Sequence, residues 1–405
     1  MPEERPTERA RIVVLNQHGD NRGDEAAMRA MVRGIGRRVP GAEFVVVQQF
    51  ADAESEVELS QPVTYLPMTM TASEYLRLVL FTALLAVGVR RRGVAGVRGR
   101  AIVDAIAGAD VVVSAPGGPY FGDLYAGHEL AHWLLVFLAD RSGKPVMLYA
   151  PSCGPFENRW LRPVRRYGFR RFDTIHLREP ISAAMLESFV GVHAVVTTDA
   201  ALLDEVDAAD RDAWLDGAEQ LLVVAVRDPG GERTEAHDRA VIDAIHVVVA
   251  RATTSVVFLP QLHGTTHRDA PYLQTIAERV TGAHRVTVAD ESLDSNAHRA
   301  LIGAADLVIA GRYHPAVFAI SAATPVLVIA YEHKAMGVAD AAGISRWAVW
   351  LDDVPNGDLG ARMAAVMADA PEIRRILAES SPRLRALAGT TADAAAALLS
   401  APPAP

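Results

Sequence analysis

Short apolar runs alternate with amphipathic stretches along most of the chain. RIVVLNQ (11–17), EFVVVQQF (43–50), VVVSA (111–115), VMLYAP (146–151), TIHLRE (174–179) and AVVTTDA (194–200) are apolar without strict alternation. Strands covered on both faces read this way, whereas a half-exposed strand alternates. Helical patterns fall between them, residues 25–39 being a clear case. That rhythm predicts βαβ units and a parallel sheet. It pauses at 203–219, LDEVDAADRDAWLDGAE, which is acidic and carries no strand pattern. A second series then follows: LLVVAVRD (221–228), SVVFLPQ (255–261), RVTVAD (285–290), DLVIAG (306–311), PVLVIAYE (325–332) and AVWLDD (348–353). From about residue 358 the chain is Ala-rich and helical, ending in APPAP.

The expected layout is therefore a Rossmann-like domain over 11–205, an acidic linker with room for a short helix over 206–219, a second Rossmann-like domain over 220–380, and an Ala-rich helix and tail over 381–405. The fold class is α/β, two parallel-sheet domains facing a cleft. Ligands of open α/β sheets gather beyond the carboxyl ends of the strands, so the loops that follow strands carry the chemistry.

Composition and the first residues narrow this picture. A length of 405 residues exceeds one ordinary core and suits two domains of roughly 150–200 residues. The net charge of −9 lacks the basic footprint of a nucleic-acid binder. A lone cysteine, Cys153, allows neither an intramolecular disulfide nor a thiolate metal cluster, and a cytoplasmic setting is expected. The charged start, MPEERPTERA, has no apolar signal core, so export is not expected.

One segment changes the picture further. LVLFTALLAVGV (78–89) is followed by Arg90, Arg91, Arg92, Arg98 and Arg100. It falls short of the roughly 20 residues a spanning helix needs. Two readings stay open for residues 78–92. One is a buried helix with a solvated basic end. The other is a peripheral contact with the inner face of the cell membrane, its arginines on anionic headgroups, which fits only a lipid-linked acceptor.

Among the loops, NQHGDNRGDEAAM (16–28) places Asn16, two Gly-Asp pairs and Asp24 between a strand and a helix. The glycine spacing is neither a dinucleotide fingerprint nor a Walker A loop. Asp24 reads as a helix cap or as a functional carboxylate. PGGPYFGDLY (116–125) offers Gly117 and Gly118, which let a ligand approach the backbone or simply make a tight turn. Cys153, in APSCGPF (150–156), is a weak nucleophile candidate with no histidine beside it in sequence. Arg178, in LREPISAAML, is a candidate fork for carboxylate or phosphate, and Asp199 ends the last strand of the first domain. PQLHGTTHRD (260–269) sets His263 and His267 four apart. Gly264 between them favours a loop with a ligand-contacting histidine over a metal site.

GRYHP (311–315) carries the strongest signal. It follows a buried strand, and Pro315 suits the first turn of a helix, which makes His314 the expected N-cap. Arg312 and His314 then stand at a helix N-terminus, where free N–H groups and the dipole favour an anion. Lys334 follows the next strand at the same sheet edge.

These residues resemble the polysaccharide pyruvyl transferase family. The matching stretches are N-x-x-G-x-x-x-G-D-E-A, the PGG loop, GPF (154–156), LRE-x-x-S (177–182), TTDA (197–200) and above all 305–344, where R-x-H, a helix, a strand and Y-x-x-K occur in fixed order. The resemblance covers roughly residues 11–345. It implies two Rossmann-like halves similar to GT-B glycosyltransferases, phosphoenolpyruvate as donor and a sugar ketal as product; no cofactor is expected, and no metal is required if arginines and backbone dipoles neutralise the phosphate. It implies functional roles for Asp24, Arg178, Arg312, His314 and Lys334, and among these His314 is the expected general acid/base, since imidazole titrates near neutrality. Pro116 stands where the family's glycine loop usually begins with glycine, and Pro151 and Ser152 stand where members often carry Gln and Gly. These changes bear on the acceptor: a glycan or glycolipid precursor, or a small metabolite. The competing reading is a GT-B glycosyltransferase using a nucleotide sugar. The Asp-x-Asp at Asp210 and Asp212 does not favour it, because it lies in the acidic linker.

Overall fold

The computed structural model describes residues 9–49, 57–68, 70–118, 120–204, 210–264 and 268–400. The first series of apolar runs forms β1 (Arg11–His18), β2 (Glu43–Gln49), β3 (Val63–Pro67), β4 (Val111–Ser114), β5 (Val146–Tyr149), β6 (Thr174–Leu177) and β7 (Val195–Val196). Between them lie α1 (Arg22–Arg38), α2 (Ala72–Ala86), α3 (Gly96–Ala107), α4 (Ala126–Arg141), α5 (Arg162–Phe169) and α6 (Pro180–Val190). The sheet order is β3-β2-β1-β4-β5-β6-β7, and every pairing is parallel. The apolar runs without alternation are explained by burial on both faces: β1, β4 and β5 are buried almost throughout. β3 carries no comparable run. It is a half-exposed edge strand, so its sequence lacks the signal that marks its neighbours.

The acidic stretch holds α7 (Arg211–Leu215), capped by the Asp210 side chain; residues 205–209 lie outside the described set. The second series forms β8 (Gln220–Ala225), α8 (Thr234–Val249), β9 (Thr254–Phe258), α9 (Ala270–Ala277), β10 (Arg285–Val288), α10 (Ser295–Ala304), β11 (Leu307–Ala310), α11 (Tyr313–Ala322), β12 (Val326–Ala330), α12 (His333–Ala342) and β13 (Ala348–Trp350), then α13 (Leu359–Ala368) and α14 (Ala370–Ser400). Its sheet runs β10-β9-β8-β11-β12-β13, again all parallel. Strand order reverses at β8/β11, the switch point where α/β sheets bind ligands.

The chain divides into two units: residues 1–19, 27–203 and 387–405, and residues 20–26 with 204–386. The sequence layout differs from this at two places. Residues 20–26, expected in the first domain, group with the second. The C-terminal helix is not a separate element from 381: α14 starts at Ala370, and its end from residue 387 groups with the first unit.

Candidate functional site

The second unit gathers charged side chains at the carboxyl ends of its central strands. β11 ends at Ala310, and the backbone N–H groups of Gly311 and Arg312 both donate to the Ala225 carbonyl, at 2.9 and 3.0 Å. Gly311 is needed for this close approach, since a Cβ there would sit 3.2 Å from Val226 Cα. Arg312 is extended and is the N-cap of α11. His314, expected at the cap, is instead the second helical residue, because the chain turns helical at Tyr313. Its ring is buried, with its centroid 5.0 Å from that of Tyr313.

Residues 20–26 come to this unit through specific bonds. The Arg22 N–H donates to the Gln261 carbonyl (3.1 Å), and the His263 N–H to the Asp20 carbonyl (3.1 Å). The Arg22 guanidinium bonds the Glu291 carbonyl at 2.7 Å and the Glu25 carboxylate at 2.9 Å, and Ser295 Oγ donates to Glu25 at 2.8 Å. Asn21 caps α1, its Oδ1 accepting from the Gly23 N–H at 2.8 Å. The capping task therefore does not fall to Asp24, which is buried in the first turn of the helix. Gly23 lies against His314: a Cβ at this position would overlap the imidazole. That contact explains the glycine of the NRGDEA stretch and puts Asp24, one residue on, in the same unit as Arg312 and His314.

Asp269 holds Arg312 side-on with both carboxylate oxygens. The same carboxylate accepts the N–H groups of Gln261 (3.0 Å) and Leu262 (3.1 Å), which fixes the loop after β9. His263 lies in that loop, half-buried; His267 is outside the described residues. Lys334 is the second residue of α12, buried, with Nζ 2.8 Å from Glu332 and 5.7 and 5.4 Å from the ring centres of Tyr313 and Tyr331. Burial alone would raise the Glu332 carboxyl, but Lys334, with His333 and Arg227, holds it below the usual range. Two further groups escaped the sequence reading. His298 Nδ1 is 2.9 Å from Gln261 Nε2, while His298 Nε2 and Gln261 Oε1 find no partner among the described residues. Burial, then the Arg22 charge, lowers His298 to about 3, so the ring is neutral. A lone histidine in SNAHRA gives no hint of this.

In the first unit, Asn16 sits at a register shift in β1 with φ 64°, a left-handed conformation that asparagine tolerates better than most residues. It is fully buried and donates to Ser114 Oγ at 3.0 Å, at the end of the neighbouring strand β4. Gly117 (φ 141°) and Gly118 follow that strand, and the Gly117 carbonyl accepts the Ser152 N–H at 3.3 Å. His18 and His132 stack with their Nε2 atoms 3.4 Å apart, beside Tyr120. Burial lowers both, His132 to about 4, and at His18 the neighbouring His132 and His128 act in the same direction as burial. The two histidines are 114 positions apart, beyond the reach of any local motif.

Three further candidates belong to this unit. Arg178, read as a fork for the donor, is 1% exposed and bonds Asp199 at 2.6 Å and Ser152 Oγ at 2.8 Å. Asp199 is its buried counter-ion. Cys153 is fully buried, and burial followed by Glu179 and Glu129 pushes its thiol up, opposite to what a nucleophile needs.

The sequence matches the family model described as "Polysaccharide pyruvyl transferase" over residues 21–333. It is 26% identical over 304 residues to the amylovoran biosynthesis protein AmsJ of Erwinia amylovora, covering 70% of this chain and 72% of that protein. Among solved structures, it is similar to a UDP-GlcNAc 2-epimerase from Neisseria meningitidis bound to UDP-GlcNAc (TM-score 0.57, 11% identity, 96% and 99% of the two chains). It is also similar to a sucrose-phosphate synthase from Thermosynechococcus elongatus (TM-score 0.57, 14% identity, 96% and 98%). These likenesses establish the two-Rossmann, GT-B-like fold. The chain belongs to the polysaccharide pyruvyl transferase family.

Proposed function

We propose that this member of the family moves the pyruvyl group of phosphoenolpyruvate onto two hydroxyls of a sugar in a glycan or glycolipid precursor, forming a ketal and releasing phosphate. The carrying observation is that Arg312, His314, Lys334 and Asp24 all belong to one unit, at the N-termini of α11, α12 and α1. Two of these helices follow adjacent strands of one sheet, and helix N-termini with Arg and Lys suit a phosphate and a carboxylate. Arg312 is pre-set by Asp269, so little side-chain freedom is lost when it meets an anion.

A proton goes to the methylene carbon of the donor, and positive charge develops at C2. One sugar hydroxyl adds there, the C2–O bond to phosphate breaks, and a second hydroxyl closes the ketal. The two hydroxyl protons end on the methyl group and the phosphate, so no external proton is consumed. His314 serves as acid/base, Asp24 orients or deprotonates the first hydroxyl, and Lys334 meets the phosphate as a point charge. His263 is assigned to the donor, and Asn16, Gly117 and Gly118 to the acceptor. Arg178, paired with Asp199 at 2.6 Å much as Arg312 is paired with Asp269, is assigned to the donor as well, and Asp199 to the acceptor. A cytoplasmic setting belongs to the same proposal, and a small-metabolite acceptor is its closest variant.

Phosphate release from phosphoenolpyruvate, with a UDP-sugar as the competing donor, tests it. His314→Gln should lower turnover by roughly 10²–10⁴-fold with donor affinity nearly kept. Near-normal turnover would sink the role of His314. Turnover of the UDP-sugar alone by the unmodified protein would sink the donor assignment.

A further inference from the structure

In the first unit, β1 to β3 advance one way along the sheet and β3 to β7 the other. Right-handed crossovers therefore put α1 on one face and α2 to α6 on the opposite face. α2 packs on α3 and α4, and α4 on α5. Within α2, Leu78, Phe81 and Thr82 turn inward. The opposite stripe is also apolar: Leu76, Val79, Leu80 and Ala83, continued by Val87 at the C-cap, recur at helical spacing. Leu76 is 69% exposed, Leu80 51% and Val87 73%. A surface helix normally keeps that side polar.

Charge surrounds the stripe. Residues 75–103 contain Arg77, Arg90, Arg91, Arg92, Arg98 and Arg100 and no Asp or Glu, in a chain of net charge −9. Arg92 pairs with Asp104 and Arg98 with Glu74. Farther along the same layer, Leu130 of α4 is exposed, and Trp160, 85% exposed, leads into α5 beside exposed Arg159, Arg162 and Arg166.

A second copy of the chain is a poor occupant for this face. Two-fold pairing would set the patch against itself, bringing arginine clusters together with no acid in 75–103 to answer them. An anionic bilayer surface meets both demands: hydrocarbon for the stripe and phosphates for the arginines. No helix among the described residues is long and apolar enough to cross a membrane, so the contact is one of lying on the surface. We propose that the outer face of α2, with its arginine flank and with Trp160 at headgroup level, docks this protein on anionic phospholipid. This surface is independent of the donor assignment above.

Sedimentation of the full chain with vesicles tests it. Phosphatidylglycerol-containing vesicles should carry the protein down at low salt and lose it at high salt, and phosphatidylcholine alone should not. Leu76→Glu with Leu80→Glu should abolish binding. Arg90→Ala with Arg91→Ala should weaken it by roughly 30-fold, about fivefold per arginine. Since all four side chains are exposed, the thermal melting of both variants should match the parent, which separates lost docking from lost folding. Three results would overturn the proposal: no sedimentation at low salt, binding unchanged in the Leu76/Leu80 variant, or a parent dimer that this variant converts to monomer without any lipid binding.

Discussion

Gly23 shows how a single missing Cβ sets a site. Its backbone lies where any side chain would collide with the His314 ring. Alanine there must displace the imidazole, the turn carrying Asp24, or both. Displacements of about 1 Å cost on the order of 10² in rate when they fall on an acid/base group. Gly23→Ala should therefore depress turnover by about that factor while the melting temperature drops only a little. Combined with His314→Gln it should add almost nothing, because both changes act on one group. Full additivity in that double-mutant cycle would show that Gly23 acts elsewhere. The sequence made Arg312, His314 and Lys334 legible because each follows a strand within a short span. It pointed to Asp24 but put it in the wrong unit, since the bonds that recruit residues 20–26 reach as far as Glu291 and Ser295, some 270 positions away.

At the level of elements, the strands buried on both faces were legible as apolar runs, and β3 was not, because its half-exposed residues carry no such run. Strand ends were legible as places for chemistry, but not the use made of them. Arg178 and Asp199 follow β6 and β7, and at 1% exposure they form a buried ion pair that neither local sequence announces. Removing one partner of such a pair leaves a charge uncompensated and typically costs about 3–5 kcal/mol. Arg178→Met should lower the melting temperature markedly. Adding Asp199→Leu should restore much of the loss, since the second change removes the stranded carboxylate. If Arg178→Met melts like the parent yet loses donor affinity, the pair serves the ligand and not the fold.

Across the whole molecule, both units bury neutral histidines, which makes acid a common threat to their folds. His132 lies at about 4 in the first unit and His298 at about 3 in the second, each depressed chiefly by burial. Unfolded histidine titrates near 6.5. Above that value neither state is protonated, and the stability these sites contribute is fully present. As pH falls below it, the unfolded chain takes up protons that the folded chain refuses, and the balance shifts toward unfolding. The loss accrues at roughly 1.4 kcal/mol per pH unit for each such histidine until its folded value is reached. Urea midpoints should thus be flat from pH 8 to about 7 and fall steeply from about 6 to 4. His132→Asn and His298→Asn, tested singly, should each make that fall shallower even where they lower stability at pH 8. An unchanged slope in both would mean that carboxylates, not these rings, govern the acid limit. Acid unfolding follows rings buried in both units, whereas His132 has no step in the proposed reaction, so the His132 variant should move the acid limit of stability and leave the pH profile of turnover where it was.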